Sequence, residues 1–307
     1  MGRYVIRRLL QMVLVLIGTT FLIFAMVYAL PGDPFAGKCG DRACPPDYVA
    51  AQRAKFGLDD PLLIQYFNYV KNLLRGNFGE SYNGITVASQ LQQAIPITLR
   101  LTALAVAFEI VIGIGAGILS GIRRNGYFDN LALISTLVVI SIPIFVIGYV
   151  LQFTLGVKLG IFPVTASDGS WGQLILPGLV LGSLSLAYVS RLTRTSLAEN
   201  LRADYVRTAV AKGLSRTRVI GVHTLRNSLI PVVTYIGGDV GTLLGGAIVT
   251  EGIFNINGIG GLTFQAIRLK EGSLVVGVVT LLVLVFLLVN LLVDLLYAVL
   301  DPRIRYE

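Results

Sequence analysis

The segment Arg191-Leu-Thr-Arg194-Thr-Ser-Leu-Ala-Glu199-Asn-Leu-Arg202-Ala-Asp204-Tyr205-Val206-Arg207-Thr208-Ala209-Val-Ala211-Lys212-Gly213 opens a polar insert that runs on to Leu225-Arg226-Asn227. A strongly apolar stretch ends near Val189 before it, and another opens at Leu229 after it. A basic segment between two such runs reads as a loop joining membrane spans. Within it, Asp204 is placed to cap a helix from Tyr205 to Lys212. Val206, Ala209 and Val210 recur at i, i+3 and i+4 as an apolar stripe, and Gly213 suits the stop. Ser215 is placed to cap a second helix carrying Arg216, Arg218, Val219, Val222 and Leu225 toward Arg226. Such a short amphipathic plug fits a partner's groove, its apolar anchors giving affinity and its Arg and Lys giving orientation. A loop resting on anionic lipid headgroups accounts for the charges; it does not account for cap, stripe and glycine together.

Composition restricts the class independently. Hydrophobic residues make up 54% of the 307-residue chain and charged ones 14%, and the mean hydropathy of +0.76 is too high for an ordinary soluble domain. A hydrocarbon core of about 30 Å takes roughly 20 residues in a helix. Six such stretches are present: Leu9–Leu30, Ile97–Leu119, Leu131–Leu155, Leu174–Val189, Leu229–Ile253 and Leu274–Leu300. The fourth is the shortest and carries Pro177, and Pro143 is expected to bend the third. The first is too long for a signal-peptide core and runs into Pro31-Gly-Asp-Pro without a small-x-small site, so it is expected to stay as a helix. The chain therefore reads as an all-α integral membrane protein with six transmembrane helices.

Orientation follows from the short connections. Arg3, Arg7 and Arg8 precede the first helix, Arg123 and Arg124 follow the second, eight Lys or Arg lie between Arg191 and Arg226, and Arg303 and Arg305 close the chain. These 15 bases stand against five acids, Asp129, Glu199, Asp204, Asp301 and Glu307, which places both termini and the long insert in the cytoplasm. The net charge of +8 is thus mostly a topology signal. No nucleic-acid partner is expected, since that reading wants a basic face with interleaved aromatics on a soluble module.

On the outer side, residues 31–95 suffice for a small helical cap but not for a domain with its own large core. Asp60-Pro61-Leu-Leu-Ile-Gln-Tyr-Phe-Asn-Tyr-Val-Lys-Asn-Leu-Leu reads as one amphipathic helix, broken by Arg75-Gly-Asn-Phe-Gly-Glu-Ser-Tyr. The only two cysteines, Cys39 and Cys44, both fall here, where an oxidising compartment permits a disulfide across four residues. So short a loop stabilises by about 2 kcal/mol at most. Two cysteines without nearby histidine leave zinc half-coordinated, so no metal site is expected. Gly32-Asp-Pro-Phe-Ala-Gly37-Lys38-Cys39 falls one residue short of a phosphate-binding loop. It follows a membrane helix, contains Pro34 and lacks the hydroxyl for magnesium, so nucleotide binding is not expected there.

Inside the membrane, ionisable groups face protein or water rather than lipid. Glu109, Asp239 and Asp294 stand out; Asp294, near the cytoplasmic end, reads as a brace. Glu109 and Asp239 are candidates for the bundle interior and, with Glu251, for the substrate path. Each has a structural alternative in pairing with a backbone group or a neighbouring helix. Gly113, Gly117 and Gly121, like Gly237, Gly241 and Gly245, repeat every four residues, which allows close helix contact. The lone His223 lies in a polar loop, and no nucleophile, base and metal set converges, so no catalytic residue is expected. The turn Arg123-Arg-Asn-Gly-Tyr-Phe-Asp reads as a second cytoplasmic contact or as a topology-setting turn. An autonomous channel or secondary transporter would carry inverted repeats with broken midplane helices, and no convincing repeat is present.

Asp204-Tyr205-Val206-Arg207-Thr208-Ala209-x-Ala211-Lys212-Gly213, followed by Leu225-Arg226-Asn227-x-x-Ile230-Pro231, resembles the cytoplasmic EAA loop of ABC importer permeases. Arg207-Thr208-Ala209 occupies the Glu-Ala-Ala positions, a departure similar to the peptide and nickel branch. Further likeness lies in Phe56-Gly-Leu-Asp-Asp-Pro-Leu through Leu74-Arg-Gly-Asn-Phe-Gly-Glu-Ser, in Glu251-Gly-Ile-Phe-Asn-Ile-Asn-Gly-Ile-Gly-Gly-Leu, and in Val289-Asn-Leu-Leu-Val-Asp-Leu-Leu-Tyr-Ala-Val-Leu-Asp-Pro-Arg-Ile-Arg. It thus spans almost the whole chain. Lys270-Glu-Gly-Ser stands where related permeases show Asp-x-Pro, which leaves that outer turn open. The resemblance implies the type I ABC importer permease fold, with an N-terminal tail and first helix over 1–30. An extracytoplasmic helical insert would follow over 31–95, then a permease core over 96–307 with its coupling loop at about 191–228.

It implies a permease in the bacterial plasma (inner) membrane, most like the first of the two membrane subunits for dipeptides or oligopeptides, with nickel or glutathione as other solutes. The implied partners are a second permease, two ATP-binding subunits and an extracytoplasmic substrate-binding protein, with membrane lipid around them. No cofactor is expected in this chain, ATP and magnesium belonging to the ATPases. Asp204, Tyr205, Val206, Arg207, Ala209, Lys212, Gly213 and Arg226 are the implied ATPase-coupling residues. The lack of a His or Met cluster argues mildly against bare metal as solute.

Overall fold

The computed structural model describes residues 2–29 and 44–300, with side chains for all of these but 2–5, 246 and 293–300. Cys39 of the expected disulfide and the Gly32–Cys39 near-match lie outside the described residues, as does the side chain of Asp294. Every regular element among the described residues is helical, with one isolated antiparallel bridge between Glu80 and Thr86. In chain order these are α1 (Gly2–Tyr28), α2 (Pro46–Phe56), α3 (Leu62–Leu73), α4 (Val87–Phe108), α5 (Gly115–Ile122), α6 (Tyr127–Ser141), α7 (Ile144–Leu151), α8 (Trp171–Asn200), α9 (Asp204–Ala211), α10 (Arg216–Arg218), α11 (Leu225–Phe254), α12 (Ile259–Arg268) and α13 (Gly272–Leu300). Three π-helical turns join neighbours without a break: Glu109–Ile114 links α4 to α5, Gln152–Lys158 extends α7, and Val219–Thr224 links α10 to α11.

Five helical stretches are long and apolar enough to cross a membrane: Ile6–Tyr28, Val87–Ile122, Trp171–Asn200, Arg216–Gly245 and Gly272–Leu292. A sixth is the pair Tyr127–Ser141 and Ile144–Lys158, bent by 105°. The bend falls at Pro143, as expected. Pro143 is extended (ψ 138°) ahead of α7, and at ~1.5 Å per residue neither half alone reaches across a ~30 Å core. The fourth span departs from expectation. It runs uninterrupted over 30 residues through Pro177, and more than half of its most apolar window is buried. Its neighbours are protein rather than lipid, so Ser, Thr and Gly replace Leu and Ile along it.

The chain divides into two compact units, residues 1–95 with 261–287 and residues 96–260 with 288–307. In the first unit, Phe24 stacks among Tyr28, Tyr66 and Tyr69, while the Tyr66 hydroxyl lies 2.9 Å from Thr20 Oγ1. Tyr69 donates to Thr280 Oγ1 at 2.8 Å; burial outweighs that bond and pushes its phenol up to about 12, so it stays a donor. The outer turn left open by the sequence is set by its own residues. Lys270 takes a left-handed φ of 54°, and the buried Glu271 carboxylate accepts Ser81 Oγ–H at 2.8 Å and the Tyr82 N–H at 2.9 Å.

The second unit is built around α8. Its core joins Leu101 and Ala105 of α4, Leu174, Leu176, Val180 and Leu181 of α8, and Leu243, Ala247 and Phe254 of α11. Glycines bring the backbones together. A Cβ on Gly182 would lie 2.9 Å from the Ala105 carbonyl oxygen. Gly113, Gly117 and Gly121 abut Val189, Thr193 and Leu197, one turn apart on α8. The expected second stripe is not packed along its length: Gly245 is exposed and a Cβ there meets nothing within 4 Å.

Candidate coupling surface

The polar insert begins where α8 ends at Asn200. The turn Leu201–Ala203 closes with the Ala203 N–H on the Asn200 carbonyl at 3.1 Å, leaving Ala203 extended (φ −69°, ψ 152°) ahead of α9. Ala203, not Asp204, is therefore the cap residue, and no side chain caps the helix. Asp204 is the first helical residue, where its charge still complements the exposed N–H groups. Its 3.3 Å contact with Arg207 is solvent-exposed on both sides and contributes little.

The stop is as expected. Gly213 has φ 77°, its N–H reaches the Val210 carbonyl at 2.9 Å and the Leu214 N–H reaches the Ala209 carbonyl at 3.3 Å, which together close a Schellman motif. A side chain at this left-handed position costs about 1–2 kcal/mol, so glycine makes the reversal after α9 possible.

The stripe divides. Val206 and Ala209 are buried and pack with Val219, with Leu214 against them, whereas Val210 is 59% exposed. Val219 and Leu214 cover only the flank that Val206 and Ala209 share, so Val210, 100° further round the helix, is left open. Val206 and Ala209 thus hold the insert together, and Tyr205, Arg207, Val210 and Lys212 form its outward face. Tyr205 is tethered through its hydroxyl to Asn200 Oδ1 at 2.7 Å. Ser215 occupies the cap position of α10 without a side-chain bond, and the expected separate second helix does not end at Arg226. The π turn carries it into α11, so α10 runs into the base of the fifth span without a break, while α9, set off by the Gly213 reversal, meets it through the packing of Val206 and Ala209 on Val219.

A second polar element is fixed to the same region. Asp129, fully buried at the start of α6, receives Arg194 Nε, receives Arg194 Nη2 at 2.8 Å, and accepts the Asn125 N–H at 2.8 Å. Arg194 lies on α8 two turns before its end, so the 123–129 turn is clamped to the helix that leads into the insert. Its Arg123, Arg124, Tyr127 and Phe128 are exposed. This clamp spans 65 residues, and no local pattern announces it.

The three acidic path candidates are all buried. Glu251 accepts Thr98 Oγ1–H at 2.7 Å, and the same Thr98 oxygen accepts the Ile259 N–H at 2.8 Å. A Cβ on Gly258 would lie 2.4 Å from Glu251 Oε2. Glu251 and Thr98 therefore staple the 255–259 turn to α4, a role that the residues alone did not announce. Glu109 and Asp239 interact with each other, with Ser185 beside Asp239. Arg226 is exposed at the foot of α11, and His223 is half-buried in the π turn. Among the described residues no group of three metal-ligating side chains forms.

Residues 113–306 match the family described as binding-protein-dependent transport system inner membrane component, and residues 1–102 match its N-terminal membrane component. The dipeptide transport system permease protein DppB of Escherichia coli strain K12 is 39% identical over 100% of both chains. DppB of Alkalihalophilus pseudofirmus is 37% identical over 99% of both. The glutathione transport system permease protein GsiC of E. coli strain K12 is 39% identical over 100% of both. With five long apolar helices, the bent α6–α7 pair as a sixth apolar stretch, and a polar insert carrying α9 between α8 and α11, the chain belongs to the binding-protein-dependent transport system inner membrane components, the membrane-spanning permeases of ABC importers.

Proposed function

We propose that this permease imports di- or oligopeptides and forms half of the translocation path, a second permease forming the other half. The observation that carries the peptide reading is full-length identity of 37% and 39% to permeases named for dipeptide transport. Two ATPase subunits receive the outward face of α9, hold ATP and magnesium between them, and leave this chain without cofactor or catalytic residue. The packing of α9 on Val219, which continues through the π turn into α11, supports this coupling route, because closure of the ATPases then shifts the fifth span. An extracytoplasmic binding protein delivers the solute. The protein sits in the bacterial inner membrane with both termini cytoplasmic, which rests on the distribution of Lys and Arg. Cys39 and Cys44 pair on the outer side. Glu109, Asp239 and Glu251, buried in this conformation, reach the path only when the bundle opens.

Glutathione is the second reading, supported by the 39% identity to a glutathione permease. The test is uptake by the complex purified from its native membrane with its binding protein, reconstituted in proteoliposomes and given ATP at the nucleotide-binding side. Labelled dipeptides are expected to accumulate only with ATP. Accumulation of glutathione or nickel but of no dipeptide or oligopeptide contradicts the peptide reading.

A further inference from the structure

We propose that the turn 255–259, the segment 164–169 and the start of α4 form one closed block at the end of α11 far from the polar insert, with Thr98 and Glu251 as its positioning residues. The block moves whole during transport, and the turn does not lift from it as a lid.

Each of the three segments is bonded to both others. Thr98 of α4 donates to Glu251 Oε1 at 2.7 Å and accepts the Ile259 N–H at 2.8 Å. The Ala166 N–H reaches the Phe254 carbonyl at 2.9 Å, and Asn257 Nδ2 donates to the Ser167 carbonyl at 3.1 Å. Arg100 Nη1 donates to the Gly169 carbonyl at 3.2 Å, which closes the triangle back on α4. Gln152 Nε2, in the π turn that extends α7, donates to the Val164 carbonyl at 2.8 Å and to the Ile253 carbonyl at 3.1 Å.

The interior of this triangle is closed to solvent. Thr98, Glu251, Ala166, Phe254 and Ile256 are each at most 1% exposed. Backbones meet there without space for side chains: a Cβ on Gly258 would lie 2.5 Å from both Glu251 Oε1 and Thr98 Oγ1, and one on Gly260 2.5 Å from Ile248 Cα. A buried polar group that loses its partner costs more than the bond itself contributes. Lifting the turn alone would break its bonds to α4 and to 164–169 together, whereas displacing the block breaks none of them. The joint with α11 is bonded as well. Asn255 takes a left-handed φ of 50°, and the Ile256 N–H returns to the Glu251 carbonyl at 2.9 Å. Because α11 runs as one helix from Leu225 to Phe254, movement at its Leu225 end is delivered about 45 Å away to the block rather than to a hinge inside it. When the bundle opens, Glu251 meets the path as part of the block, with its Thr98 bond intact.

The test is hydrogen–deuterium exchange of the intact importer complex in lipid nanodiscs, read on peptides covering 164–169 and 255–260. The unsubstituted permease is compared with Thr98→Val, which keeps the shape but removes both bonds of the hydroxyl, and with Thr98→Ser, which keeps them. Thr98→Val is expected to speed exchange about tenfold or more in both segments, although Thr98 bonds to neither backbone amide of 164–169, and Thr98→Ser is expected to restore the slow rate. No change in either segment, or a rise confined to 255–260, shows that the segments open separately and overturns the proposal. A rise that extends equally over residues 185–197 of α8 is general loosening and overturns it too. The unsubstituted complex supplies a second reading that needs no variant. Exchange in both segments is expected to stay slow when ATP and vanadate hold the ATPases closed, and faster exchange at 255–260 in that state shows the turn lifting as a lid. The Thr98 comparison requires no ATP, so its outcome is independent of which solute is carried.

Discussion

Arg194→Met is expected to destabilise the permease by about 3–5 kcal/mol, the cost of leaving a buried charge without its partner. Asp129 is fully buried, and Arg194 Nε and Nη2 are its only charged donors among the described residues, the Asn125 N–H adding one neutral bond. Methionine fills the space of the arginine stem but returns no donor, so the Asp129 carboxylate must be hydrated, protonated or expelled. Each of these loosens the 123–129 turn from α8. The measurement is the midpoint of thermal unfolding of the detergent-purified protein. The cause is separated from lost packing by the double variant Arg194→Met with Asp129→Leu. Removing both charges is expected to recover much of the loss, because replacing a whole buried pair by apolar groups is often neutral. If the double variant is as unstable as the single one, the packing of the arginine stem rather than the orphaned charge sets the cost.

Gly117→Ala is expected to reverse the usual benefit of alanine in a helix. Alanine gains about 1 kcal/mol over glycine in a helix interior. At position 117, however, the added Cβ would lie 2.5 Å from Thr193 Cβ and 2.6 Å from the Ser190 carbonyl oxygen. Neither atom is the end of a flexible side chain, so α8 and α5 must separate along the whole Gly113–Gly121 face. Overpacking of this kind costs about 1–3 kcal/mol or more, and the net effect is a lowered unfolding midpoint. Gly115, two residues away on the same helix, has nothing within 4 Å of a Cβ. Gly115→Ala is therefore expected to raise the midpoint, and equal effects at the two positions would contradict the packing argument.

These two sites illustrate what local pattern carries and what it does not. Five apolar stretches of sufficient length, with the bent pair as a sixth, the break at Pro143 and the Gly113, Gly117 and Gly121 stripe each express a one-dimensional rule that the structure contains, whereas the Gly237, Gly241 and Gly245 stripe is not packed along its length. The fourth span was underestimated, because a helix surrounded by protein needs no continuous apolar face and its Ser and Thr residues end a hydropathy run before they end the helix. Within the insert, the pattern carried the existence of α9 and its glycine stop. The inward or outward choice of Val210 depended on where Val219 and Leu214 arrive from further along the chain. Asp204 was misplaced by one residue because the preceding turn, not a side-chain cap, starts the helix. The Arg194–Asp129 clamp, the Thr98–Glu251 staple and the meeting of Glu109 with Asp239 join residues far apart in the chain, so no spacing rule reaches them.

The division of α9 also decides how the coupling claim is best tested. Substituting Val206 or Ala209 disturbs the insert's own packing, whereas Val210 is exposed and free of it. The decisive measurement is co-purification of ATPase subunits from native membranes with the unsubstituted permease and with Val210→Glu, the variant's unfolding midpoint being measured alongside. The account predicts that the ATPases accompany the unsubstituted chain and are lost with Val210→Glu, while the midpoint is unchanged. Undiminished ATPase recovery with Val210→Glu, or none with the unsubstituted permease, would contradict docking through this face.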